Sequence, residues 1–328
     1  MRLDAPLSTL VDAFRGASDS KVLRDALAQI AMRLVDTQDR KQFQRADGAT
    51  TILDHLARIW EEQATLAHAW QASHVFSTAW GEHEVHDSLA LTLVAICHAS
   101  VDTTIARELN ELHAITLLFN LFTTLPAQVR ANQIHALECI RNLCFVDFDF
   151  ASSLPGGFIQ AMWDTLLQSN ECERQEITAD ILTNIAFHNP THVNVTQQQL
   201  AAVLTLFFTP SASQTGSPVP APAPAPANTA TLQIALADLL CNLCCDASYC
   251  LLLIYELDER KPRSYHRHSG AVYFMDLTEK TPEPALRQSM EALAHNISWS
   301  DPASKRNVQK LGLSSYLRMF TAEPAISN

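Results

Sequence analysis

Half of the chain's eight cysteines fall in one stretch, ADLLCNLCCDASYC, from Ala237 to Cys250. Thiolates bind zinc and exchange disulfides, so a cluster this dense is the first place to look for chemistry. Cys241-x-x-Cys244 has metal-ligand spacing. A tetrahedral site needs two more ligands, and neither a second C-x-x-C nor an H-x₃-H follows at zinc-finger distance. Only Cys250 and the pair His266 and His268 stand within reach along the chain. On a helix, Cys244 continues the apolar stripe of Leu240, whereas Cys241 and Cys245 flank Asn242. The expectation is that the thiols fill space between helices as small hydrophobes, with no metal and no other cofactor.

Other chemistry-bearing residues are scattered. WGEHEVHDS places His83 and His86 three apart beside Glu82 and Glu84, and it reads as a polar helix start rather than a metal patch. No G-x-x-x-x-G-K-[ST], G-x-G-x-x-G, G-x-S-x-G or H-E-x-x-H occurs. Only 8 glycines in 328 residues argue against phosphate-cradling loops and against a turn-rich β fold. The chain therefore reads as a non-enzyme with no small-molecule substrate.

The formal net charge is -12. Residues 251–328 are near neutral, so the acid excess lies in the first three quarters. Clustered Lys and Arg needed for phosphate contacts are missing there, which excludes nucleic acid as the expected partner. No apolar run reaches the length of a membrane span. Asp4 and Asp12 near the start and the absence of a long apolar core argue against a secretory signal, so the cysteines are expected to be reduced thiols. The expected location is cytoplasmic, with mitochondrial or ciliary assembly as alternatives.

The elements that must position any site are helices. QIHALECIRNLCF places Ile134, Leu137, Ile140, Leu143 and Cys144 on one helical face. EITADILTNIAF, IALADLLCNLCC and SMEALAHNISW repeat the design. Aligned, they bring Asn142, Asn184, Asn242 and Asn296 into register, each followed by Leu or Ile. The intervals are 42, 58 and 54 residues. The second contains PSASQTGSPVPAPAPAPANTA and the third contains DERKPRSYHRHSG, and removing the Pro-Ala insertion restores a period of about 42, within the range of armadillo and HEAT units. An earlier copy, LALTLVAICHA, has Ala95 in the place assigned to the asparagine. Gly48, Gly157, Gly270 and Gly312 stand near the starts of preceding helices, where a glycine ends one helix and allows a sharp turn into the next.

On these four helices and the glycine-marked starts, the chain resembles the armadillo-repeat family, with HEAT repeats as the other reading. The resemblance implies an all-α, right-handed α-solenoid of about five to six helical repeats. Residues 1–44 are expected to form a helical cap and residues 45–328 the repeat domain. Within it, 209–230 reads as a flexible Pro-Ala insertion, a spacer or a ligand for a proline-recognising groove, and 257–270 reads as a basic loop. Trp60, Trp70 and Trp80 do not share a helical face and suggest an extra helical segment in the first repeat, packed by its aromatics or offering them to a partner.

The resemblance further implies that third helices line a concave groove, with Asn142, Asn184, Asn242 and Asn296 hydrogen-bonding an extended peptide. An amide answers both an N–H and a C=O; the same amides also fit a structural ladder between repeats. One turn earlier stand Glu138, Asp180 and Asp238, where importin alpha carries tryptophan. These carboxylates favour a basic extended segment, or are ordinary solvated helix positions. The basic stretches Arg260–His268 and Lys305–Lys310 either dock an acidic partner or solvate their loops. The functional expectation is a protein-binding scaffold or structural subunit of a larger assembly. The alternative is an adaptor embracing a folded domain, of the chaperone-cofactor or exchange-factor type.

Overall fold

A computed structural model describes residues 5–71, 83–125, 129–146, 153–209, 229–265 and 269–300; for residues 63–71, 83–86 and 298–300 it describes the backbone alone. Among the described residues every regular element is helical and no strand occurs. The Pro-Ala tract, Trp80, His266, His268 and Lys305–Lys310 lie outside the described residues, as do the side chains of Trp70, His83 and His86. No helix among the described residues is long and apolar enough to cross a membrane. The chain divides into two compact units, Met1–Phe158 and Ile159–Asn328.

The first unit contains α1 (Leu7–Gly16), α2 (Ser20–Arg33), α3 (Thr37–Arg45), α4 (Gly48–Gln71), α5 (His83–Ala99), α6 (Thr103–Glu111), α7 (Ala114–Thr124) and α8 (Arg130–Phe145). They form sets of three, a short first helix (α3, α6), a second (α4, α7) and a long third (α5, α8), preceded by the pair α1 and α2. The third helices pack side by side, α2 on α5 and α5 on α8. Their shared face is Ile30, Ile96 and Ile140, each 1% exposed or less. At about 25 cal/mol per Å² of apolar surface, burying such side chains supplies roughly 1.5–3 kcal/mol each, the main driving term of the stack.

Aspartate starts the short helices. Asp36 and Asp102 accept backbone N–H bonds from Gln38 and Asp39, and from Thr104 and Ile105, meeting amides that a helix start leaves unpaired. The turn from first to second helix passes through one left-handed residue, Asp47 (φ 54°) before α4 and His113 (φ 61°) before α7. Gly48 therefore has a different role from the expected turn-former. A Cβ on it would stand 2.4 Å from the Phe43 ring, so glycine is required there for close approach. The second helix α4 is 24 residues long where α7 has 11.

The second unit contains α9 (Phe158–Gln168), α10 (Cys172–His188), a 3₁₀ turn (Pro190–Val193), α11 (Gln197–Phe208), α12 (Ala230–Leu243), α13 (Ala247–Arg260), a 3₁₀ turn (Arg263–Tyr265), α14 (Gly270–Lys280) and α15 (Pro284–Ser300). The third helices α10, α12 and α15 again stack in sequence. Leu182, Leu240 and Ala294, all at 0% exposure, take the place of the isoleucines. The basic stretch begins inside α13 and continues through the second 3₁₀ turn. Gly270 resembles Gly48: a Cβ would lie 2.4 Å from the Leu257 carbonyl carbon and the Asp258 nitrogen. Gly157 does adopt the left-handed region, at φ +79°, as the sequence reading requires of a turn glycine.

Candidate functional site

The third helices carry the asparagines, and the amides of Asn142, Asn242 and Asn296 reach to the preceding third helix of the same unit. Within the first unit, Asn142 Nδ2 donates to the Cys97 carbonyl at 3.2 Å and to Ser100 Oγ at 3.3 Å. Within the second, Asn242 Nδ2 donates to the Thr183 carbonyl at 3.1 Å and Asn296 Nδ2 to the Cys241 carbonyl at 2.9 Å. Each acceptor is the residue immediately before the ladder position of its own helix. This rule corrects the register of the earlier copy: the acceptor Cys97 makes His98, not Ala95, the equivalent of asparagine. Ala95 is fully buried in the helix interface. His98 acts accordingly, its Nδ1–H donating to the Ala31 carbonyl at 2.8 Å, which carries the register back to Met32 on α2.

Each such bond contributes about 1 kcal/mol, and removing the donor while the carbonyl stays buried costs about 1–3 kcal/mol. The side chains are half-buried at Asn142, Asn184, Asn242 and Asn296, so each amide also borders solvent. A second, parallel register lies nine residues earlier. Gln133 donates to the Leu125 carbonyl at 2.6 Å, Gln175 to Leu166 at 3.0 Å, and Gln233 to Phe207 at 2.9 Å. Arg287 does the same to Thr281 at 2.8 Å. These side chains satisfy carbonyls at or just past the last turn of the second helix and fix where the third helix begins.

The carboxylates one turn before the ladder are half-buried. Glu138 Oε2 accepts from His135 Nδ1 at 2.9 Å. Asp238 is shifted upward from the ordinary aspartate value because burial penalises its charge, an effect opposed by a hydrogen bond to Ser289 on α15. Asp180 occupies the same register position on α10.

Three residues after the ladder position stands an apolar row the sequence reading missed. Val35, Val101, Phe145 and Phe187 are 64%, 61%, 66% and 72% exposed; the exposed Cys245 fills the place just past the end of α12. The available signal was positional: none is unusual alone, and the row emerges only when the helices are aligned on the corrected register.

Of the clustered thiols, Cys244 and Cys250 are buried, Cys241 is half-buried and Cys245 is exposed. Cys144 and Cys244 are buried two residues after the ladder position, where the other helices place Ser100 and Ala186. Burial drives the Cys144 thiol well up, and Cys241 is pushed up to about 12 by burial and then by Cys245 and Asp238. Thiols so held stay protonated and unreactive. Cys97 shifts downward, through its hydrogen bond with Cys139. Among the described residues no group of three or more His, Cys, Asp or Glu is placed to hold a metal ion.

No protein-family model matches the chain, and no curated protein sequence does. Solved structures do. An engineered protein, 14% identical, aligns over 90% of this chain and 98% of its own with a TM-score of 0.62. A designed armadillo repeat protein, 13% identical, covers 89% and 99% at 0.59. A structure of computationally designed armadillo repeat proteins for modular peptide recognition, 12% identical, covers 88% and 99% at 0.58. At these identities the likeness is one of fold: the chain adopts an all-α solenoid of the armadillo-repeat type.

Proposed function

We propose that this armadillo-type repeat protein is a non-enzymatic scaffold, or a subunit of a larger assembly, that holds an extended segment of a partner protein along its third helices. The observation that carries this reading is the exposed strip on those helices. Residues four before, at, and three after the ladder position fall within about 60° of one another around a helix axis. In the first unit these positions are Glu138, Asn142 and Phe145 on α8; in the second they are Asp180, Asn184 and Phe187 on α10, and Asp238 and Asn242 on α12 with Cys245 just past its end. Large apolar side chains left exposed at one repeated position are not explained by the core, and such exposure marks interaction surfaces.

The chemistry fits a segment that mixes apolar and basic side chains. The apolar tips supply contact area, and Glu138, Asp180 and Asp238 favour Lys or Arg. Exposed ion pairs add little affinity but steer encounter and select the partner. The designs for modular peptide recognition that share the fold support a peptide as the kind of partner.

The test starts by selecting peptides from an extended-segment display library on the full chain and measuring their binding by fluorescence anisotropy. The triple variant Glu138→Ala, Asp180→Ala, Asp238→Ala is expected to bind at least about tenfold more weakly, with a shallower salt dependence. Unchanged affinity and salt slope in that variant contradict the reading.

A further inference from the structure

Away from the third-helix strip, the second unit has a cavity of about 580 Å³ lined by Leu204, Thr205, Phe208 and Thr209 on one side and by Arg260, Tyr273 and Leu277 on the other. That volume lies within the range of ligand sites. Its floor is aromatic. The Phe208 and Tyr273 rings lie 6.4 Å apart and are inclined by only 31°, and Tyr265 meets Tyr273 edge-on at 5.2 Å. Phe208 and Tyr273 are both half-buried, so each keeps part of its ring for a visitor. Arg260 closes one edge, held by the Ala201 carbonyl at 2.6 Å and Thr205 Oγ1 at 3.3 Å. Aromatic-floored grooves with a polar edge suit proline-rich segments, because proline rings stack on aromatic faces and a pre-extended chain has little freedom to lose.

The chain supplies such a segment at the rim. Thr209, which lines the cavity, is followed at once by residues 210–228, with prolines at 210, 218, 220, 222, 224 and 226. Its two ends are anchored close together: Gln233, one turn into α12, donates to the Phe207 carbonyl at the end of α11 at 2.9 Å. A link of a few residues would close that gap, yet the segment has a contour length of about 60 Å at roughly 3.1 Å per residue.

We propose that the groove formed by Phe208, Tyr273 and Arg260 is a proline-recognition site whose occupant is this chain's own tract, Pro218–Ala227. Tethering at both ends gives the tract an effective concentration in the millimolar range, so modest intrinsic affinity suffices to fill the site.

The experiment compares the full chain with a variant in which residues 210–228 are replaced by a Gly-Ser linker of equal length. The probe is a fluorescent synthetic peptide, SPVPAPAPAPAN, followed by anisotropy. The linker variant is expected to bind it at least tenfold more tightly than the natural chain, whose groove is already filled. Adding Phe208→Leu or Tyr273→Leu to the linker variant abolishes that binding while circular dichroism and the melting temperature stay close to the parent's. The proposal is overturned if the peptide binds neither protein up to millimolar concentration, or binds both equally, or is unaffected by the ring substitutions. Sedimentation showing that the natural chain dimerises through this tract, while the linker variant stays monomeric, also overturns it, by placing the tract in a second copy.

Discussion

At the residue scale, the ladder asparagine and the acid one turn before it make opposite contributions to stability. Asn296 fixes α15 to α12, so Asn296→Ala leaves the Cys241 carbonyl without its donor. Urea unfolding is expected to show a loss of about 1–3 kcal/mol; no loss refutes a structural role for the ladder. Asp238 is a carboxylate whose pKa burial raises. Its native environment therefore favours the neutral acid. That stabilisation is complete below the ordinary aspartate value of 3.8 and is lost as pH rises through the raised native value. Asp238→Asn is thus expected to be more stable than the natural chain at pH 7 and equal to it near pH 3.5. A variant less stable at pH 7 contradicts this. Retaining an acid that weakens the fold fits a residue kept for binding.

How much could be read from the sequence also divides at this scale. Asn142, Asn184, Asn242 and Asn296 were legible because a polar amide recurring in an apolar stripe is conspicuous. His98 was not, because the residue type changes there and the interval back to Met32 is 66 residues rather than about 42. The register of Gln133, Gln175 and Gln233 was invisible because a glutamine in a first helical turn looks like any solvated residue until its carbonyl partner is known. The apolar row of Val101, Phe145 and Phe187 stayed hidden for the related reason that exposure, not type, defines it.

At the element scale, the repeats of the first unit are punctuated by local chemistry: an aspartate cap, a left-handed residue, then the second helix. The sequence located the glycines at the second-helix starts but not their use, since close approach depends on a neighbour across the turn. The two contact glycines differ in what they touch. Gly48 faces the Phe43 ring, a side chain, whereas Gly270 faces the backbone of Leu257 and Asp258. A ring has rotamers with which to yield and a helix backbone has none. Gly270→Ala is therefore expected to cost about 1–3 kcal/mol in thermal or urea unfolding, and more than Gly48→Ala. The reverse order contradicts the close-approach assignment.

At the scale of the whole molecule, repeated third helices offer one surface strip many times over, which suits a long, extended partner better than a compact one. The fold class was legible from period and pattern because repeats multiply a weak signal. The partner was not, because each strip position is chemically ordinary. The most direct measurement places a photo-crosslinking benzophenone side chain, one site at a time, at positions 145 and 187 on the strip and at positions 251 and 255 on the exposed face of α13, with a library-selected peptide bound. The account predicts peptide cross-links from positions 145 and 187 and none from 251 or 255. Cross-links confined to 251 and 255 would contradict it.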